Sequence, residues 1–181
     1  MIFNLKKTEL YSILENAISF VVVFAMFIYG FGKIIQFEDG TPVDKMVSEM
    51  SGHQLMWAFY GYSKYFIFTL GLLEVTGGIL ILIKRTRLLG CLFTSTILIN
   101  IILQDIFYNI PIGALKAAIL YQVLILIILW FHRSKLSKAF NALLIKNKEK
   151  IKLSRHLLLL TLAFVFFAIF RVFEYYITIK W

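Results

Sequence analysis

Apolar residues in this chain fall into five long runs separated by short polar breaks. The runs are Ile13–Ile35, Tyr65–Ile83, Leu88–Tyr108, Ala114–Phe131 and Leu157–Ile179. Each is near the roughly 20 residues that a helix needs to cross the hydrocarbon core of a bilayer. The pattern predicts an all-α protein, a polytopic membrane helix bundle with five spans. Two breaks carry weaker helical patterns. In "TPVDKMVSEM" Thr41 stands as an N-cap, Pro42 takes the first helical position, and Asp44 lies three after the cap. Val43, Met46, Val47 and Met50 then share a face, which predicts a short surface helix ended by Gly52. In the break after Phe131, Leu136, Phe140, Leu143 and Leu144 recur on one side among lysines, the pattern of a basic interfacial helix.

Composition agrees with membrane residence. Hydrophobic residues make up 60% of the 181 and charged ones 16%, against about a quarter charged in soluble domains. The net charge of +9 is concentrated in two breaks. One holds Lys84, Arg85 and Arg87. The other holds Arg133, Lys135, Lys138, Lys146, Lys148, Lys150, Lys152 and Arg155 against Glu149. Such segments face the cytoplasm, and acidic lipid headgroups, not nucleic acid, are the partner they suit. The break from Gln36 to Lys64 carries Glu38, Asp39, Asp44 and Glu49 against Lys45 and Lys64, so it is expected outside. The expected topology is N-terminus cytoplasmic and C-terminus outside, in a bacterial inner or plasma membrane. Lys6 and Lys7 precede the first run as in a signal peptide. That run is too long for such a segment and no small-x-small site follows, so a retained helix is expected.

Candidate chemistry is limited to polar residues within the runs. Cys91 is the single cysteine, which excludes an internal disulfide. His53, His132 and His156 lie in different loops, and the glycines make no phosphate-binding pattern. Glu74 sits mid-run in "GLLEVTGG", with Gly71 and Gly78 on its face. Small residues let a neighbouring helix approach, so Glu74 is expected to point into the bundle. It serves there as a neutral group bonded across helices or as a ligand or proton site. Asn100 and Gln104 are four apart in "NIILQDIFYN", with Asp105 roughly 140° round the wheel from Asn100. By depth, Lys33, Asp105, Lys116, Arg171 and Glu174 fall at one level near the outer ends of their spans. Asp105 is therefore expected within salt-bridge reach of Lys33, Lys116 or Arg171, since an unpaired buried carboxylate is costly. Together these residues predict a polar pocket open to the outside, with Glu74 and Asn100 at its floor. The run "WAFYGYSKY", with Trp57, Phe59, Tyr60, Tyr62 and Tyr65, is either a headgroup-level belt or an aromatic lid over that pocket.

The stretch from "YGFGK" to "GYSKYFIFTLGLLEVTGGILILIKRTRLLG" resembles the DoxX family of small membrane proteins. The residues that carry the likeness are Gly32 and Lys33, Glu74 with Gly77 and Gly78, and Arg85 and Arg87. "NIILQDIFYNIPIGALKAAILY" is similar to the segment that comes next in one DoxX-like subgroup. The resemblance covers about residues 13–133 and implies a four-helix core. Residues 134–156 then form a cytoplasmic basic amphipathic segment, and 157–181 an additional transmembrane helix that departs from the family plan. Some DoxX relatives are subunits of a thiosulfate:quinone oxidoreductase, others associate with redox partners, and eukaryotic ones assist receptor assembly. The resemblance therefore implies a non-catalytic subunit that binds a small apolar ligand, a quinone or lipid, and works with a membrane or redox partner. No cofactor motif is encoded. The other reading is a structural or assembly factor whose buried polar groups serve helix packing. Five spans without inverted halves fit a transporter less well.

Overall fold

The computed structural model describes residues 6–38, 45–144 and 152–179. Among these residues the regular structure is helical. The long helices are α1 (Lys7–Glu38), α3 (Lys64–Leu82), α4 (Arg87–Phe107), α5 (Ile112–Phe131) and α7 (Leu153–Ile179). All five are long and apolar enough to cross a membrane, and their bounds match the apolar runs closely. The shorter helices are α2 (Gly52–Gly61) and α6 (Arg133–Leu143).

Two compact units make up the chain, Met1–Lys138 and Ala139–Trp181. The division falls within α6. In the first unit α1 packs on α3, α3 on α4, α4 on α5, and α5 back on α1, so four spanning helices close a ring. Val22, Met26, Ile81, Leu98, Ile125 and Ile128 fill its centre. Apolar side chains such as Phe24, Phe31, Phe68 and Leu103 point outward, as lipid contact requires. In the second unit α7 is exposed along its described length.

Local chemistry sets the turns. Ser63 accepts from the Phe66 amide and starts α3. Between α4 and α5, Asn109 adopts φ 52°, a left-handed conformation that asparagine tolerates better than most residues. Ile110 N–H then donates to the Asp105 carbonyl, and Pro111 leads into α5.

The segment before α3 differs from expectation. Thr41, Pro42, Val43 and Asp44 lie outside the described residues. After them the chain makes a single 3-10 turn, Val47–Glu49, and enters α2, which Gly52 begins rather than ends. The reason is a capping box that the sequence pattern did not bring forward. Ser51 Oγ accepts from Gln54 N–H, and Gln54 Oε1 accepts from Ser51 N–H. α2 therefore carries the aromatic run "WAFY" as a helix with Met56 and Tyr60 buried.

Candidate functional site: a polar cavity at the α2 end of the bundle

The contact between α1 and α3 is as close as backbones allow. A Cβ on Gly30 would stand 2.7 Å from the Gly71 carbonyl oxygen, and one on Gly71 would collide with the Gly30 carbonyl. Gly78 similarly leaves room for Phe27 and Met26 of α1. Glycines at Gly71 and Gly78 thus turn the Glu74 side of α3 toward α1. There Lys33 Nζ lies 3.0 Å from Glu74 Oε1, with side chains only 12% and 2% exposed. A charge pair at this depth stands only if each group meets its partner.

Beside this pair the ring of helices opens into a cavity of about 530 Å³. Its walls come from α1 through α5. Met26, Tyr29, Lys33, Gln36 and Phe37 of α1 line it at spacings of three and four, so one helix face is given over to it. Ala114, Ala118 and Tyr121 do the same on α5. α4 contributes Asn100, Gln104 and Asp105, and α2 contributes His53, Met56, Trp57 and Tyr60.

Hydrogen bonds hold the polar rim. Tyr60 O–H donates to Gln104 Oε1 at 2.6 Å, and Gln104 Nε2 donates to Asn100 Oδ1. Burial raises the Tyr60 phenol above its ordinary range, partly offset by the bond to Gln104, so it is a neutral donor at physiological pH. Trp57 Nε1 donates to the Gln36 carbonyl at 3.0 Å, tying α2 down on α1. His53 stacks on Trp57 at 4.0 Å, while Phe37 packs against both Trp57 and Tyr60. Lys33 Nζ stands 5.7 Å from the centre of the Phe37 ring. Trp57 and Tyr60 thus cover the cavity, while Phe59, Tyr62 and Tyr65 of the same run are exposed.

The expected set divides. Glu74, Asn100, Gln104, Asp105, Lys33 and Trp57 meet around one cavity. Lys116 does not line it and is exposed on α5. Depth alone groups it with Asp105, but its helical phase turns it away. Arg171 belongs to the second unit, where it pairs with Glu174 on its own helix. The expected ion pair of Asp105 is also corrected. Among the described residues Asp105 has no salt bridge, and Lys33 meets Glu74 instead. Asp105 is 4% exposed and its Oδ2 has no hydrogen-bond partner. Glu74 Oε2 is likewise unpartnered. Tyr29, Gln36, His53 and Tyr121 join the site without having been expected from sequence. The α1 residues were readable from the spacing of 29, 33 and 36.

A second polar cluster closes the opposite end. Glu15 accepts from Arg87 Nη1 at 2.9 Å, and His132 Nε2 lies 3.1 Å from its other oxygen. Arg87 also donates from Nη1 to Asn16 Oδ1 and from Nε to the Ile81 carbonyl. Arg87, expected as a loop charge, is 4% exposed and fastens α4 to α1 and α3.

No protein-family model matches this chain, and no solved structure does. Over 133 residues it is 32% identical to the uncharacterized protein YwoB of Bacillus subtilis (strain 168), spanning 72% of this chain and 84% of that protein. The chain belongs to the YwoB family. That relationship brings no activity with it, so the likeness to DoxX proteins rests on the short motifs quoted above.

Proposed function

We propose that this chain is a DoxX-like membrane protein that holds a small amphipathic molecule in the cavity at the α2 end, with that end facing outside. The observation that carries this reading is the composition of the cavity. Apolar walls from Met26, Leu70, Leu73 and Ile101 surround a few convergent polar groups, Lys33, Glu74, Gln104 and Asp105, under an aromatic cover. This is the usual make-up of a small-molecule site, and the volume falls within the range of roughly 300–1,000 Å³ typical of such sites. A quinone-like ring or a lipid has the right amphipathic character. The likeness to DoxX proteins adds a redox partner protein, with this chain as a binding subunit without chemistry of its own.

The test is an experimental structure of the full chain in lipid nanodiscs. Density for a bound molecule between Trp57, Lys33 and Asp105 supports the reading. A cavity closed by repacked side chains contradicts it.

The second reading, a structural or assembly factor, draws on the Glu15–Arg87–His132 cluster. There the chain uses buried charges to join helices, and the groups largely satisfy one another. If the Lys33–Glu74 pair plays the same part, the cavity is incidental, and the nanodisc structure finds it without a ligand.

A further inference from the structure

We infer that the head of the bound molecule is a protonated amine, which presents N–H donors and one positive charge to Glu74 and Asp105. This rests on the reading of the cavity as a ligand site and goes further by naming the chemistry of the ligand.

Glu74 and Asp105 are 1% and 4% exposed, both border the cavity, and each has one carboxylate oxygen without a partner. Buried carboxylate oxygens are acceptors, so what they lack is a donor. The neighbouring polar groups do not supply it. Tyr60 gives its proton to Gln104. Lys33 Nζ meets the other oxygen of Glu74, and neither its remaining N–H donors nor the hydroxyls of Tyr29 and Tyr121 bond to the two free oxygens.

Formal charge points the same way. With both carboxylates ionised and His53 neutral, two negative charges stand against the single ammonium of Lys33, which leaves the site one positive charge short. A carbonyl head, such as that of an oxidised quinone, brings only acceptors and answers neither deficit. An ammonium answers both through charge-assisted hydrogen bonds. The cover is also suited to a cation, since Trp57, Phe37 and Tyr60 are aromatic and cations bind over such faces. The amine can be a free amphiphile or the ethanolamine head of a phospholipid, because both offer the same N–H donors.

Calorimetry on the full chain in phosphatidylcholine nanodiscs tests the assignment, with phenylbutylammonium and the neutral phenylbutanol as probes. The amine is expected to bind at least about tenfold more tightly, the scale of one charge-assisted hydrogen bond. Asp105→Asn or Glu74→Gln should remove that preference while changing the alcohol affinity little. Nanodiscs containing phosphatidylethanolamine then separate the two sources. Masking of the amine site identifies the lipid head, and unchanged amine binding identifies a free amine. Alcohol binding that equals or exceeds amine binding, and that a cavity-filling Ala118→Phe abolishes, overturns the ammonium assignment but keeps the ligand site. Failure of both probes to bind overturns both.

Discussion

Lys33 on α1 and Glu74 on α3 meet across a close helix contact, Nζ to Oε1 3.0 Å, with the Gly30–Gly71 contact beside them. The pair is buried, so its members depend on each other. Lys33→Met should leave Glu74 as an uncompensated buried charge and lower stability by about 3–5 kcal/mol. Lys33→Met with Glu74→Met should recover most of that loss. Thermal unfolding of the detergent-purified variants measures both, and a single variant as stable as the wild type would show that the pair is not formed.

The glycines of α1 and α3 are not equivalent. Gly71→Ala places a methyl group against the Gly30 backbone carbonyl, which has no side chain to move aside. It should separate α1 from α3 and cost on the order of 1–3 kcal/mol. Gly32, also part of the DoxX likeness, has open space around it, so Gly32→Ala should be neutral or slightly stabilising. Equal effects in melting experiments would contradict the described crossing.

At the other end, Arg87 joins three helices through Nε to the Ile81 carbonyl and Nη1 to Glu15 and Asn16. A lysine has one donor head and cannot span these positions. Arg87→Lys should therefore destabilise the protein by roughly 2–4 kcal/mol although the charge is kept. Arg85→Lys, on the neighbouring exposed turn, serves as the control and should leave the melting temperature unchanged. Equal melting temperatures for the two variants would argue against the network.

Topology is open to a direct test. By the proposed topology, which rests on the basic breaks, Lys84 and the α6 region face the cytoplasm and the C-terminus lies outside. Alkaline phosphatase fused after the last residue should be active, and the same reporter at Lys84 should be silent. The reverse pattern would invert the bundle and put the cavity on the cytoplasmic side.

Much of the fold was legible because each spanning helix is a long apolar run, and the bilayer requires its backbone to be satisfied within the helix. Glu74 was legible too, since glycines at Gly71 and Gly78 mark the side a neighbour approaches. Depth along the chain was a poorer guide, because it ignores rotation about the helix axis. Lys116 shares the expected level of Asp105 yet is exposed and does not line the cavity. Lys33 was one of three cations expected near Asp105, and it meets Glu74. The bare backbone at Gly71 leaves room for the Lys33 stem on its way to Glu74. The Glu15–Arg87–His132 cluster left no local signal, since Glu15 lies 72 residues from Arg87 in sequence.

The central claim is that the cavity holds a small molecule, and native mass spectrometry tests it most directly. Wild-type chain released from gentle detergent should carry one adduct of constant small mass. Ala118→Phe, which fills the wall of the cavity from α5, should lose that adduct while remaining folded. An Ala118→Phe protein that carries the same adduct, or a wild type that carries none, would contradict the account.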